Sequence, residues 1–263
     1  MYGPSDGCVL NEVSPTHPDT FYAQTKRAAE QIVLNARGAD GQPLGTVLRL
    51  GAVYGSRIKG NYERLTRALA GKLGPGNLGT RSQFLAKLGH VPRFPRFPFI
   101  PVGNGLNRRT LLYDKDVSRA AAMAVSHPAA AGRVFNVTDG GFHTLNEIIE
   151  SICYALGRKP PRLSLPLGPT RTLIGLIEKG YRLMGIMGGI VGTRSQFLRK
   201  LGHVPIIPLV TRAIIDKYTE DIAVDGSLIQ RELGFMPQYD LKTGWEETIR
   251  EMRGEKQVLR AED

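Results

Sequence analysis

The sequence predicts an α/β protein. Its first strong signal is a helix that can be capped by Asp19 or Thr20 and that continues through helix-favouring alanines to Glu30. The short apolar run Val47–Tyr54 follows, and such a run is typical of a buried parallel strand. A second extended segment, Arg133–Val137, again follows a helical stretch. With 263 residues, of which 41% are apolar, the chain can form one large domain or a domain with a smaller lobe.

The composition excludes several classes of protein. A net charge of +11 raises the question of nucleic-acid binding, but the basic residues do not form one dense patch with interleaved aromatic side chains. We therefore predict no nucleic-acid partner. Cys8 and Cys153 supply neither a disulfide framework nor a ligand cluster, so we also predict no metal site.

The most apolar stretch, residues 173–192, carries Glu178, Lys179 and Arg182 in its first half. These charges argue against a membrane span and favour a buried or interfacial helix. The residues that follow Met1 lack the pattern of a cleavable signal sequence. We therefore expect a soluble, cytoplasmic protein.

The first helix places Tyr22 and Lys26 four residues apart, hence on one face. A phenol in water has a pKa near ~10 and is a poor base at neutral pH, but a neighbouring ammonium favours the phenolate. Such a pair suits proton transfer at a sugar or alcohol hydroxyl. The alternative is a tyrosine that packs on a helix face beside a solvated lysine. Of the nine tyrosines, only Tyr22 has a lysine four positions later.

The segments after this helix predict a ligand-binding edge. Gly51 and Ala52 would lie at the carboxyl end of the predicted strand, where ligands bind in open α/β sheets. Asn61 opens a helical segment, GNYERLTRALAG, and can serve as its N-cap. Phe99–Asn104 and Arg108–Tyr113 then have the pattern of extended segments.

The second half of the chain continues with helices and turns. Asp114 and Asp116 fit a helix start better than a metal pair, because a carboxylate caps well there. Asp139–Gly141 is predicted to form a turn. A capping box, Thr144–Glu147, opens a helix to about Leu156, and Asp225 caps a later helix that Gly234 ends. Trp245 is predicted to lie in the core, and residues 255–263 to form a charged, frayed tail.

Two nearly identical peptides interrupt these patterns. Residues 79–92, GTRSQFLAKLGHVP, recur at 192–205 as GTRSQFLRKLGHVP and differ at one position. We hypothesise that one peptide was inserted twice into surface loops, near 73–95 and near 185–206, where insertion is best tolerated. The alternative is that the two copies pair with each other or bind a partner.

Six blocks, in this order, share one resemblance: YGPSDG, NEVSPTHPDTFYAQTKRAAEQ, VLRLGAVYGSR, RRTLLYDKDVSRAAAMAV, GRVFNVTDGGFHTLNEIIESICYALGR and VDGSLIQRELGFMPQYDLKTGWEETI. They resemble the extended short-chain dehydrogenase/reductase family, nearest to its NAD-dependent nucleotide-sugar epimerases and dehydratases. The resemblance implies a partial doubly wound, Rossmann-like parallel sheet with a smaller C-terminal α/β substrate-binding lobe. Residues 1–56 and about 107–140 would belong to the dinucleotide-binding domain, and about 57–106 and 141–254 to the substrate-binding lobe.

The same resemblance implies roles for individual residues. Tyr22 would be the general base, Lys26 would hold the nicotinamide ribose and support the phenolate, and Gly51 would face the cofactor. Substrate contacts would come from six positions: Ala52, Asn61, Ile100, Pro101, Val102 and Arg109. Family members often carry asparagine where Ala52 stands, so an amide contact is missing here.

Arg109 would hold the diphosphate, because a guanidinium donates two parallel hydrogen bonds to phosphate oxygens. Arg108 is the adjacent alternative, and a surface arginine on an edge strand is the other interpretation. The stretch Ile100–Val102 would lie along the nucleotide.

The sequence departs from the family in two ways. It contains no Gly-x-x-Gly-x-x-Gly fingerprint for the dinucleotide pyrophosphate, and the serine or threonine that hydrogen-bonds the reacting hydroxyl would precede Met1. We therefore expect these 263 residues alone to be inactive, with NAD or NADP bound only if the missing half is supplied.

Three functions stay open. The first is an epimerase or dehydratase that acts on a nucleotide-diphosphate sugar, with a homodimer through the Tyr22 helix as the partner that family habit implies. The second is a steroid- or flavonol-type reductase, and the third is a non-catalytic remnant or binding module.

Overall fold

Two parallel strand pairs lie in the larger of two compact units. The structure is a computed structural model, and it describes residues 1–71 except 4 and 6, residues 99–190 and residues 212–261. Among these, the larger unit comprises residues 1–71, 99, 106–160 and 221–261. The smaller unit comprises residues 100–105, 161–190 and 212–220.

The described residues contain both helices and parallel strand pairs, so the predicted α/β fold class is confirmed. In chain order the helices are α1 (Phe21–Asn35), α2 (Asn61–Leu69), α3 (Asp114–Ser126), α4 (Leu145–Leu156), α5 (Leu167–Ile190), α6 (Arg212–Thr219), α7 (Ser227–Leu233) and α8 (Leu241–Ala261). The strands are β1 (Val47–Leu50), β2 (Ala52–Tyr54), β3 (Arg108–Arg109), β4 (Leu111–Tyr113), β5 (Val134–Val137) and β6 (His143–Thr144).

The run Val47–Tyr54 pairs with two different strands. Its first part, β1, runs parallel to β5, and its second part, β2, runs parallel to β4. The prediction of one buried strand is therefore wrong, because the chain changes partner at Gly51 and the ladder breaks there. Leu50 and Ala52 are exposed. Within the described residues β1 has a paired neighbour on one side only, which explains its incomplete burial.

One core cluster of the larger unit is built mainly from apolar side chains of β4, β5, α3 and α7. The fully or nearly fully buried members of this cluster are Leu112, Ala120, Ala124, Ala130, Phe135, Val137, Ile229, Leu233 and Phe235. In α8, Trp245 is 1% exposed and stacks on Tyr54 with ring centroids 4.5 Å apart. Its predicted place in the core is confirmed.

Local capping signals position several helix ends as predicted. The Thr20 side chain accepts a hydrogen bond from the Ala23 N–H at the start of α1. Thr144 and Glu147 form the capping box of α4. Gly234 ends α7 in the left-handed conformation, with φ of 71°, which glycine adopts without strain.

Three other helix ends differ from the prediction. Gly226, not Asp225, is the N-cap of α7, although the Asp225 carboxylate still accepts the Ser227 N–H. Asn61 is the first residue of α2 rather than its cap. Residues 255–261 continue α8 instead of forming a frayed tail, because EKQVLRA contains no helix breaker.

The start of α3 is tied to the loop before α8. As predicted, this helix begins at Asp114. Asp116 is completely buried, and its carboxylate accepts the backbone N–H groups of Gln238 and Tyr239 and pairs with Arg119. Its role is structural.

The smaller unit contains α5 and α6, which Arg171 and Asp216 join through an ion pair of 2.8 Å. Leu173 and Leu176 of α5 are 59% and 62% exposed, so the first half of this helix is not buried, and of the two predicted alternatives the interfacial helix stays a prediction. None of the described helices is long and apolar enough to cross a membrane. Both copies of the repeated peptide lie outside the described residues.

Candidate functional site

The first turns of α1 present Tyr22 and Lys26 on one side of the helix. The Lys26 Nζ atom lies 5.5 Å from the centre of the Tyr22 ring, so the shared face that their spacing predicts is confirmed. Tyr22 is 71% exposed, and Lys26 is exposed as well. A ligand can therefore reach both side chains. Their part in catalysis stays a prediction.

Glu30, two turns further along α1, attaches this helix to β1. Its carboxylate accepts hydrogen bonds of 2.9 and 2.6 Å from Arg49 and also pairs with Arg27. Arg49 donates in addition to the Tyr2 hydroxyl at 2.6 Å, and that hydroxyl donates to Asn136 of β5 at 2.8 Å. The side chains of Glu30 and Arg49 are 2% and 9% exposed. This buried network joins α1, β1 and β5.

Glu30 and Arg49 stabilise each other's charged forms in this buried network. Burial alone would raise the pKa of Glu30, but Arg49 and Arg27 outweigh it and hold the pKa below its ordinary value. Burial would likewise lower the pKa of Arg49, but its hydrogen bonds to Glu30 and Tyr2 raise it instead. Removing either partner would therefore leave a buried charge without compensation.

Three successive contacts show that α1 runs antiparallel to β1: the Ala36 carbonyl accepts from the Leu44 N–H, a Cβ on Gly45 would meet Val33, and Glu30 binds Arg49. Moving back along the helix thus moves forward along the strand. Tyr22 precedes Glu30 by eight residues, or about 12 Å of helix. At about 3.3 Å per strand residue, this distance brings Tyr22 level with residues 51–53. The tyrosine and the lysine therefore lie toward the carboxyl end of β1.

At Gly51 the run Val47–Tyr54 changes its hydrogen-bonding partner from β5 to β4. Its N–H donates to the Val137 carbonyl at 2.8 Å, and the Ala52 N–H donates to the Thr110 carbonyl at 2.9 Å. A Cβ on Gly51 would lie 3.1 Å from the carbonyl oxygens of Thr110 and Leu111. Close backbone approach thus accounts for the glycine. A cofactor contact there stays a prediction.

Arg108 and Arg109 are neighbours in β3, so their side chains point to opposite faces. Arg108 donates to the carboxylate of Asp221 at 2.6 Å, and its backbone N–H donates to the same group. Chiefly because of Arg108, the pKa of Asp221 lies well below its usual range. Arg108 is therefore engaged in an ion pair that joins β3 to residue 221.

Arg109 lies close to the first turn of α2. Burial raises the pKa of Tyr62 to about 12, the Arg109 charge opposes this rise, and the Asp139 charge adds to it. Asn61 and Tyr62 also line a cavity of about 70 Å³ between α2 and α8; other lining residues are Lys59, Thr66, Trp245 and Thr248. The structure thus places Asn61 at this cavity and Arg109 within electrostatic range of the adjacent Tyr62.

A histidine–carboxylate pair beside Arg109 was missed in the sequence. The His143 Nε2 atom lies 2.8 Å from a carboxylate oxygen of Asp139, whose other oxygen accepts the Gly141 N–H. In the antiparallel pair of β3 and β6, His143 lies directly opposite Arg109. Burial tends to lower the pKa of His143, but Asp139 outweighs burial and raises it. The available signal was the short motif DGGFH directly before a capping box.

Ile100, Pro101 and Val102 belong to the smaller unit. The Pro101 carbonyl accepts the Leu165 N–H at 2.8 Å, and the Leu165 carbonyl accepts the Gly103 N–H at the same distance. Pro101 is buried, whereas Ile100 is 40% exposed. Their contact with a nucleotide stays a prediction.

Among the described residues, no group of three or more His, Cys, Asp or Glu side chains could hold a metal ion. Both cysteines are free; Cys8 is exposed and Cys153 is buried.

Parallel strands joined through helices, with candidate residues toward the carboxyl end of β1, define a Rossmann-like α/β protein. The family model of the NAD dependent epimerase/dehydratase family matches residues 1–138, which is more than half of the chain. The chain belongs to this family.

The chain is also similar to individual proteins of known sequence or structure. The chain is 24% identical over 251 residues to the uncharacterized protein y4nL of Sinorhizobium fredii, covering 94% of this chain and 58% of that protein. It is 23% identical over 242 residues to the UDP-glucose 4-epimerase of Vibrio cholerae, covering 92% and 56%. The UDP-glucose 4-epimerase of Thermotoga maritima, solved with UDP-glucose, superposes with a TM-score of 0.56 at 18% identity, covering 94% and 58%. The chain thus spans less than two thirds of the length of each of these proteins.

Proposed function

We propose that this chain carries the tyrosine–lysine part of the active site of an NAD-dependent enzyme that epimerises or dehydrates a nucleotide-diphosphate sugar. The observation that carries the proposal is the Tyr22–Lys26 pair, on a helix that Glu30 anchors so that the pair lies toward the carboxyl end of a parallel strand. Family membership supports the reaction class. The two UDP-glucose 4-epimerases among its relatives support a nucleotide sugar as the substrate.

The residues present fit one end of NAD or NADP. The exposed Tyr22 hydroxyl and Lys26 ammonium can contact the nicotinamide ribose, with the backbone of Gly51 at the same edge. The sequence contains no glycine fingerprint for the pyrophosphate. We propose that this chain holds the nicotinamide end of the cofactor.

In the proposed reaction this chain carries out one proton transfer. Tyr22, as the phenolate, accepts the proton of the reacting sugar hydroxyl, and it returns a proton when that hydroxyl is restored. The Lys26 ammonium lies on the same face of α1 and can donate to the ribose hydroxyls. When bound, NAD supplies the acceptor for the hydride that leaves the sugar carbon.

The substrate would be held by its diphosphate. Arg109, whose charge acts on Tyr62 of α2, offers a guanidinium that matches phosphate oxygens in charge and geometry. A diphosphate contact favours a nucleotide sugar over the steroid- or flavonol-type substrate of a reductase. Ala52 has no amide to offer the sugar.

A second candidate function is a binding module. The absence of Gly-x-x-Gly-x-x-Gly from the 263 residues favours it, because NAD binding in this family depends on that motif. In this case the chain alone would bind the nucleotide sugar without turnover. A homodimer through α1 is a further proposal, supported by the exposure of Phe21 and Ile32, which are 81% and 73% exposed.

Calorimetric titration of the full chain with UDP-glucose and, separately, with NAD tests the proposal. We expect UDP-glucose to bind and Arg109→Ala to weaken that binding at least ~10-fold. Arg133→Ala, at a surface arginine whose side chain is 44% exposed, is the control and should bind as the wild type does. Failure of UDP-glucose to bind in an Arg109-dependent way would overturn the nucleotide-sugar assignment.

The NAD titration separates the two candidate functions. Weak NAD binding and no conversion of UDP-glucose in the presence of NAD would favour the binding module. Tight NAD binding with conversion that Tyr22→Phe abolishes would establish the enzyme in this chain alone.

A further inference from the structure

The imidazole of His143 lies on the same face of the β3–β6 ladder as Arg109. His143 and Arg109 are directly opposite each other in the antiparallel pair of β6 and β3. Side chains in such a pair emerge on the same face, with their Cβ atoms about 5 Å apart. Arg108 and Thr144, the neighbouring pair, face the other way, and there Arg108 binds Asp221. The register therefore groups two nitrogen-bearing side chains on one face of this ladder.

The orientation of this imidazole is fixed. Its Nε2 atom faces Asp139 at 2.8 Å, and the other oxygen of Asp139 accepts the Gly141 N–H at 3.0 Å. A Cβ on Gly141 would collide with the ring at 2.5 to 2.7 Å, so the absence of a side chain there lets the ring take this place. The side chain of Asp139 is 1% exposed and that of His143 is 18% exposed. The ring is thus held from one side and is open to solvent in part.

We propose that His143, oriented by Asp139, is a second contact for the diphosphate of the nucleotide sugar, beside Arg109. The inference rests on the proposed function, since it names a further residue of that same site. With Nε2 directed at Asp139, Nδ1 is the nitrogen that remains for a phosphate oxygen. A protonated imidazole donates through both nitrogens, so it can bind the carboxylate and the phosphate at once.

The charges around His143 make its contact with the diphosphate pH-dependent. The groups that act on the ring are the carboxylates of Asp139, Glu147 and Asp240, and Arg109 lies opposite it across the ladder. Glu147 is engaged in the capping box of α4, and Asp240 accepts from Thr243 at the start of α8. After the opposing effect of burial, the carboxylates raise the pKa of His143 above its ordinary value. The ring is therefore protonated to a higher pH than a free histidine, and the contact weakens as the pH rises through that pKa.

Titration of the full chain with UDP-glucose from pH 6 to pH 9 tests the inference. UDP-glucose is suitable because its diphosphate is esterified at both ends and keeps its charge over this range. We expect the wild type to lose about 10-fold in affinity across the range. His143→Gln should bind about 10-fold more weakly at pH 6 and show little dependence on pH. His17→Gln, at an exposed histidine, is the matched control and should keep the wild-type profile.

A direct readout keeps the test independent of stability. In a long-range ¹H–¹⁵N spectrum, the His143 ring signals are identified by their loss in His143→Gln. UDP-glucose should shift them, whereas uridine, which lacks phosphate, should shift them little.

The outcomes separate this inference from the proposed function. If UDP-glucose binding depends on Arg109 but is the same in His143→Gln at every pH, the diphosphate site stands and the role of His143 is refuted. If the wild type does not bind UDP-glucose, the proposed function and this inference both fail. A wild-type pH profile that persists in His143→Gln would also refute the inference.

Discussion

At the residue scale, the position of α1 depends on two charges that the fold buries together. Glu30 is the buried residue of α1, while apolar Phe21 and Ile32 on the same helix are exposed. The helix is therefore attached to β1 mainly through polar contacts with Arg49. Such a pair specifies one geometry but tolerates the loss of a partner badly.

Glu30→Gln should reduce the free energy of unfolding by about 3–5 kcal/mol, because it leaves the buried Arg49 guanidinium without a counter-charge. Urea unfolding at neutral pH measures this. Glu63→Gln, in the more exposed i,i+4 pair with Arg67, is the control and should cost less than about 1 kcal/mol. Because the folded-state pKa of Glu30 is lowered, its contribution should be present at neutral pH and disappear as the pH falls through that pKa. Equal losses in the two variants would contradict this account.

His143 should make stability depend on pH in the opposite sense. Its folded-state pKa is raised, so the folded chain binds the proton more tightly than the unfolded chain does. The contribution is complete below the unfolded-state pKa and is lost as the pH rises through the folded-state value. The unfolding free energy of the wild type should therefore fall as the pH rises through this window. His143→Gln should remove that slope and His17→Gln should retain it; an unchanged slope in His143→Gln would exclude the ion pair as its source.

At the scale of the element, the residue Gly51 decides how the two parallel pairs are joined. Within one peptide the run Val47–Tyr54 changes its hydrogen-bonding partner from β5 to β4. The carbonyl oxygens of Thr110 and Leu111 lie 3.1 Å from the position that a Cβ on Gly51 would take. A side chain there must displace backbone rather than a flexible side chain.

Gly51→Ala should therefore destabilise the chain by about 1–3 kcal/mol. Gly60→Ala is the matched control, because nothing lies within 4 Å of a Cβ at Gly60 and its φ of 168° is open to any residue. Its effect should stay within about 0.5 kcal/mol. Thermal or urea unfolding of both variants measures the difference. If Gly51→Ala leaves the free energy of unfolding unchanged, the strand pairs β1–β5 and β2–β4 can shift to accommodate a side chain, and this account is wrong.

Elements with local signals could be predicted from the sequence. Thr144 and Glu147 satisfy each other within one turn, and Gly234 needs only its own backbone conformation, so neighbouring residues determine both ends. The break at Gly51 could not be predicted, because it depends on β4 and β5, which lie 60 and more residues further along. Asn61 at the first helical position, instead of the cap, is an error of one residue that helix boundaries commonly allow.

At the scale of the whole molecule, the same distinction applies to the candidate site. Tyr22 and Lys26 are four residues apart, and their shared face follows from helix geometry alone. The ion pair of Arg108 requires a partner, Asp221, that is 113 residues away. The pairing of His143 with Arg109 requires the register of β3 and β6. Contacts between distant segments are therefore what the sequence leaves undetermined.

Ligand binding should be visible as stabilisation of the whole chain. A ligand that binds only the folded state at 100 times its Kd adds about 2.7 kcal/mol to the free energy of unfolding. We expect UDP-glucose to raise the Tm by several degrees and NAD at the same concentration to raise it less. The measurement is a thermal unfolding series with each ligand, and Arg109→Ala should abolish the rise with UDP-glucose. A larger rise with NAD would favour a cofactor site within this chain.

The attachment of α1 through Glu30 has a mechanical consequence. A helix turns about its axis as a rod, so any roll at the attachment point swings the phenol at the far end by the same angle. A misplacement of about 1 Å in a reacting group can slow a reaction about 100-fold. In a working enzyme built on this chain, Glu30 and Arg49 would therefore govern the aim of the base from two turns away, although neither would touch the sugar.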